Sequence, residues 1–159
     1  MNIKDFTIIV DTREQKPWTF DDHSVANKKL DTGDYSVEGL EKIFTIERKR
    51  SVSEIAGNIS EKRFYDELDR MRDFKHKFIL LEFSLNSVLD YPVGSTVPKK
   101  LWSTLKITGK YILKYLTEIS MKYDVHIIYC GSSSNAEEMA LSIMKRMVER
   151  YARSQTEDL

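Results

Sequence analysis

Residues 78–83, FILLEF, make a nearly continuous apolar run. That pattern reads as a central strand buried on both faces rather than a strand with one face in water. Two further runs, FTIIV at 6–10 and VHIIY at 125–129, read as buried strands of the same kind. A sheet buried on both faces needs a helical layer on each side. The rest of the chain must supply those helices.

Helical signals fall between the apolar runs. Ser51 and Glu54 have capping-box spacing, so a short helix is expected from there to about Gly57, and a second over residues 61–74. A short helix over 85–89 should end before Tyr91-Pro92, because the residue before a proline is pushed out of helical geometry. Leu101, Leu105, Ile112, Leu116 and Ile119 lie near helical spacing, which predicts a long helix over 99–123, loosened at Thr108-Gly109. Ser134 and Glu137 repeat the capping-box spacing before a last helix with an apolar stripe at Ala140, Ile143, Met144, Met147 and Tyr151.

Residues 12–29 read as a long loop, and 35–37 with 42–48 as a hairpin turning around Gly39. The hairpin makes the sheet mixed. The expected architecture is therefore α/β, a central mixed β-sheet flanked by helices on both faces. Residues 1–153 would form one domain and 154–159 a fraying tail.

Lys and Arg total 25 and Asp and Glu total 25, so the formal charge is zero and a polybasic binder that works by bulk charge is excluded. Cys130 is the lone cysteine, and His23, His76 and His126 show no metal-ligand spacing, which excludes a disulfide within the chain and a Cys-based zinc site. The N-terminal MNIKDFTIIV is not a signal peptide, and no apolar stretch reaches membrane-spanning length. A cytoplasmic, reducing compartment is expected.

Asp34, Glu47 and Lys49 carry the chemistry. Successive strand side chains alternate faces, so Glu47 and Lys49 share one face while Arg48 points to the other. If the hairpin returns Asp34 to the Glu47 face, two carboxylates and a lysine meet. Carboxylates hold a hard divalent cation, which acts on a phosphate ester, and the lysine offsets charge in the transition state. A solvated strand edge carries such a pattern by chance. Asp11, Arg13 and Glu14 at the end of the first buried strand add an acid where α/β sheets build sites.

These residues resemble the XPF-type structure-specific DNA endonucleases. The resemblance rests on VDTRE at 10–14, GDY at 33–35 and IERKRSVSEI at 46–55, with KRFYDELDRM at 62–71 and FILLE at 78–82 beside them. It implies a restriction-endonuclease-like fold and a cofactor of Mg²⁺ or Mn²⁺. It makes Asp34 and Glu47 metal ligands, with Asp11 contributing directly or through water, and Lys49 the catalytic lysine. Arg13, Arg48 and Arg63 would support the site or contact DNA phosphate, and Glu14 would support a neighbour.

After its lysine the family has three residues and then an Asp, where this chain has Ser53; Glu54 follows one place later. Glu54 either takes that acid's role or only caps the helix. The helix-hairpin-helix modules and helicase of many relatives have no counterpart in this sequence, so the chain looks like the nuclease domain alone.

The resemblance implies a divalent-metal-dependent endonuclease cutting branched or single-strand/double-strand junction DNA in repair, recombination or replication. The alternative is a catalytically silent DNA-binding or scaffold subunit. DNA is the expected partner, and no membrane; residues 139–151 either face a second copy or a partner protein or are buried within the monomer. The setting would be the nucleoid, or host-cell DNA for a viral protein.

Overall fold

The computed structural model describes residues 5–157, with side chains to Ala152. Six strands form one sheet in the order β2-β1-β3-β4-β5-β6. They are β1 (Thr7–Val10), β2 (Ser24–Asn27), β3 (Tyr35–Val37), β4 (Phe44–Lys49), β5 (His76–Leu81) and β6 (His126–Tyr129). β3 runs antiparallel to both β1 and β4, and every other neighbouring pair is parallel. The C-terminal ends of β1, β4, β5 and β6 therefore share one edge of the sheet, where β3 begins.

The helices are α1 (Val52–Asn58), α2 (Lys62–Met71), α3 (Leu85–Asp90), α4 (Gly109–Tyr123) and α5 (Ser133–Glu157). Strand alternation sorts them into layers. Phe44, Ile46 and Leu80 pack with Ala136, Ala140, Met144 and Val148 of α5. Ile79 and Leu81, on the opposite face, meet Ile55, Phe64, Leu68 and Ile112 of α1, α2 and α4. Ile79, Leu80 and Leu81 are at most 1% exposed, as a strand covered on both faces requires. The apolar stripe of α5 is spent within this core, while Met139 faces outward.

Three expectations are corrected. Residues 24–27 are not loop but the edge strand β2, paired with β1 from Thr7–Ser24 to Val10–Asn27. β2 is mostly exposed, so backbone pairing defines it and hydropathy carries no trace of it.

The helix expected over 99–123 is two pieces, a 3₁₀ turn (Lys99–Thr104) and α4. Thr108 caps α4 by accepting from the Tyr111 N–H at 3.2 Å. A Cβ at Gly109 would overlap the Val88 and Leu89 carbonyls, so glycine lets α4 pack against α3.

Ser132, not Ser134, caps α5, accepting from the Asn135 N–H at 3.1 Å. Glu137 reaches away to the Phe20 N–H at 3.0 Å. α5 runs to Glu157; residues 158–159, the end of the tail expected to fray, lie outside the described residues.

Candidate active site

Glu47, Arg48 and Lys49 close β4 at the shared edge of the sheet, and each is under 9% exposed. A solvated strand edge would leave them in water, so that reading fails. Their side chains alternate as strand geometry demands. Lys49 Nζ lies 3.5 Å from Glu47 Oε1, on the face covered by α1 and α2. Arg48 goes to the α5 face.

The hairpin does return Asp34 to Glu47 and Lys49. Asp34 N–H donates to the Ile46 carbonyl at 2.8 Å, and Asp34 Oδ2 accepts from the Arg48 N–H at 2.8 Å. Gly33 makes this possible. Its φ is +84°, and a Cβ there would overlap Thr45 Oγ1.

Asp34, Glu47, Lys49, Glu54, Asn58, Arg63 and Glu67 share a cleft of about 690 Å³ that Asp11, Arg13 and Glu14 also line. Burial, then the neighbouring Glu14, pushes the Asp34 carboxyl up to about 7. Burial, then Asp34 and Glu67, pushes Glu47 well above the carboxylate range. Burial alone would lower Lys49, but Glu47, Glu67, Glu54 and Asp34 outweigh it and hold the ammonium charged.

The cleft is rich in acceptors and short of donors. Among the described residues, the buried side-chain oxygens without a hydrogen-bond donor are Glu14 Oε2, Thr32 Oγ1, Glu47 Oε2 and Asn58 Oδ1. All four residues line this cleft. An unpaired buried acceptor costs about 1–3 kcal/mol, and a cation is one group that satisfies several at once.

Among the described residues no three His, Cys, Asp or Glu side chains are drawn together at ligand spacing. The arrangement is thus an open cleft rather than a closed cage. That suits Mg²⁺, which keeps several waters and takes one or two carboxylates. Asp34 and Glu47 fit that demand.

Asp11 is committed elsewhere. Its oxygens accept from Arg13 N, Nε and Nη2 at 2.8–3.2 Å and from the Leu30 N–H at 2.8 Å. Burial raises its pKa, but Arg13 and the two backbone N–H groups prevail and hold it below the usual range. Asp11 therefore orients Arg13, whose mostly exposed side chain stands at the rim. Arg50, Arg63 and Arg70 stand around the same opening. Glu14 faces Arg50 at 3.4 Å and Arg48 at 4.0 Å.

Glu54 serves two roles at once. Ser51 caps α1, accepting from the Glu54 N–H at 3.1 Å, while Glu54 Oε2 accepts from the Arg50 N–H at 3.1 Å. Its other oxygen lies 3.7 Å from Lys49 Nζ.

Two acids escaped the sequence reading. Glu82 directly follows β5 and takes both arms of Arg48, at 2.9 Å and 3.3 Å. The signal was an acid closing a buried strand next to one carrying Arg48. Glu67 lies one helical turn beyond Arg63, on the same stripe of α2. Its signal was that i, i+4 spacing.

With this geometry in view, a family model described as the ERCC4 domain matches residues 10–143. The chain belongs to the ERCC4 domain family. Two solved structures share the fold of this ERCC4 domain. One is XPF from Aeropyrum pernix, 16% identical, with a TM-score of 0.63 over 89% of this chain and 60% of that one. The other is the same protein in complex with DNA, 16% identical, with a TM-score of 0.63 over 91% of this chain and 66% of that one. The domain spans less than two thirds of either relative. No curated protein matches. These matches establish the α/β fold expected from the residues and its restriction-endonuclease-like form, which the resemblance implied.

Proposed function

We propose that this ERCC4 domain is a divalent-metal-dependent DNA endonuclease acting at branched or single-strand/double-strand junction DNA. The observation that carries the proposal is the acceptor-rich cleft, where Asp34 and the unpartnered Glu47 Oε2 flank a buried, charged Lys49. The XPF relative solved with DNA supports DNA as the substrate class.

Asp34 and Glu47 would hold the cation, Mg²⁺ or Mn²⁺. When bound, it polarises the scissile phosphate and lowers the pKa of a water molecule. Lys49, fixed between Glu47 and Glu54 with the Phe64 ring 4.9 Å away, presents one positive charge to the phosphate in the transition state. Arg13, Arg50 and Arg63 stand at the opening to grip flanking phosphates, and Asp11 keeps Arg13 aimed. Arg48 is buried and fully engaged, so its task is support.

The test is a panel of flap, fork, Holliday-junction and linear DNAs incubated with the protein and Mg²⁺, with the cuts mapped. Junction DNAs should be cut, and Asp34→Ala or Glu47→Ala should abolish cutting while the fold survives. Undiminished cleavage by either variant would overturn the proposal. No cleavage of any substrate by the unaltered protein would favour a silent scaffold.

A further inference from the structure

We infer that α4 carries a nucleic-acid site apart from the cleft, a groove against α2 where bases of single-stranded DNA stack on tyrosine rings while lysines meet its phosphates. The inference takes DNA as the ligand class from the proposal above, and needs neither the cation nor cleavage.

The sequence of α4 holds the pattern. Lys-Tyr recurs at 110–111, 114–115 and 122–123, with Glu118-Ile119 in the remaining step. Residues four apart share a helix face, so the lysines form one stripe and the tyrosines another beside it. From 110 to 123 the two stripes run about 20 Å along the helix.

The core does not require all of these rings. α4 fills its buried face with Ile112, Leu116, Ile119 and Tyr123, none more than 5% exposed. Tyr115 packs half-buried against that core, and Tyr111 is 39% exposed. Their ring centroids lie 4.7 Å apart. Across from them α2 supplies Tyr65, held in place by donating from Oη to the Ile59 carbonyl at 2.9 Å. Between the helices lies a groove of about 270 Å³ lined by Tyr65, Tyr115, Ile119 and Tyr123.

Charge favours a polyanion there. Lys110, Lys114 and Lys122 are exposed, with Glu118 the one acid on their stripe, in a chain whose formal charge is zero. Lys122 Nζ lies 5.3 Å from the Tyr123 ring, and the Arg72 guanidinium, itself paired with Asp69 at 3.6 Å, lies 4.6 Å from it. Cations therefore cover that end of the groove. An apolar peptide would leave the lysines unanswered, whereas a nucleic-acid strand answers both stripes. A duplex hides its base faces within the stack, so the groove selects a single strand.

The groove also lies close to the cleft. Phe64 lines the cleft and Tyr65, the next residue, lines the groove. A strand leaving the cleft reaches the tyrosines after rounding α2, about 10 Å across.

Fluorescence anisotropy of a labelled oligo-dT with the whole protein, at low salt in EDTA, tests this, because binding is then read apart from cutting. Tyr111→Ala with Tyr115→Ala should weaken oligo-dT binding at least about tenfold and leave binding of a blunt duplex within about twofold. Tyr111→Phe with Tyr115→Phe, which keeps the ring faces, should stay within about threefold of the unaltered protein. Lys114→Gln with Lys122→Gln should lower the salt slope by about 1.4, at about 0.7 per single-strand phosphate. Circular dichroism melts check that each variant folds. Tyr111→Ala alone, at its exposed position, replaces the double variant if Tyr115→Ala does not fold.

If the double Tyr→Ala variant binds oligo-dT within about twofold of the unaltered protein, or the double Tyr→Phe variant binds as weakly as it does, the inference fails. If oligo-dT and duplex binding weaken together, the surface grips phosphate alone and the inference fails. If sedimentation velocity shows a dimer that the double Tyr→Ala variant makes monomeric, a second copy occupies the groove and the inference fails. No binding of oligo-dT by the unaltered protein also ends it. Binding of oligo-dT through the groove by a protein that cuts no DNA would overturn the cleavage proposal and leave this inference standing.

Discussion

The two faces of β4 treat charge in opposite ways. On the α5 face, Arg48 donates to both oxygens of Glu82, to the Lys16 carbonyl, to Tyr35 Oη and to Ser133 Oγ, and its guanidinium stacks 4.8 Å from the Trp18 ring. Trp18 Nε1 donates to the same Glu82 at 2.8 Å. On the other face, Glu47 keeps an oxygen with no donor, and Asp34, brought in by the hairpin, accepts the Arg48 N–H on its carboxylate. The first face satisfies its charges with the protein's own groups. The second leaves them for something else to satisfy, which is how a structural ion pair and a candidate site are told apart inside one strand.

Removing one partner from the satisfied face should have the largest effect. Arg48→Ala or Glu82→Ala strands a buried charge whose side chain is now at most 7% exposed, at a cost of about 3–5 kcal/mol by urea unfolding. A loss under 1 kcal/mol would mean that the network is not what holds this face together.

Gly33→Ala comes next. It forces a side chain into positive φ and against Thr45, for about 1–3 kcal/mol of destabilisation, and it moves Asp34 out of the site. Cation affinity should fall along with stability.

The unsatisfied face should respond with the opposite sign. Without metal, Glu47→Gln should raise stability by about 0.5–2 kcal/mol near neutral pH while abolishing cleavage, because the folded chain no longer has to bury or protonate a carboxylate that the unfolded chain keeps ionised.

The same comparison predicts a pH dependence. Asp34 titrates near 7 in the folded chain and near 3.9 unfolded, so below about pH 4 both states hold the proton and nothing is lost. As pH rises from there through about 7, the unfolded state releases its proton first and metal-free stability falls. Thermal melts should show a decline of several degrees that Mg²⁺ reverses and that Asp34→Asn with Glu47→Gln flattens.

The smallest change belongs to the rim. Arg63→Ala should leave stability within about 0.5 kcal/mol, weaken DNA binding at all sequences and lower the salt slope by about one.

Much of this was legible in the residues. The FILLEF run named the central strand, and period-two alternation separated Arg48 from Glu47 and Lys49. The Gly-Asp step and the Ser51 cap also read directly, because each depends on a few neighbouring residues. What the chain order did not show lies across it. β2 is held only by backbone pairing to β1. Gly109 matters because of the carbonyls of another helix. Glu82 and Glu67 acquire their roles from Arg48 and Glu47, residues 34 and 20 positions away.

Local chemistry determined the buried strands, the hairpin, the Ser51 cap and the face on which each strand side chain emerges, since those follow from periods of 2 and 3.6, from capping-box spacing and from glycine's freedom at positive φ. Only the tertiary structure decided which of those charges were answered. Burial strengthens every electrostatic interaction and removes water as a partner, so the same kind of side chain becomes a closed ion pair beside Glu82 and an unfilled acceptor beside Glu67.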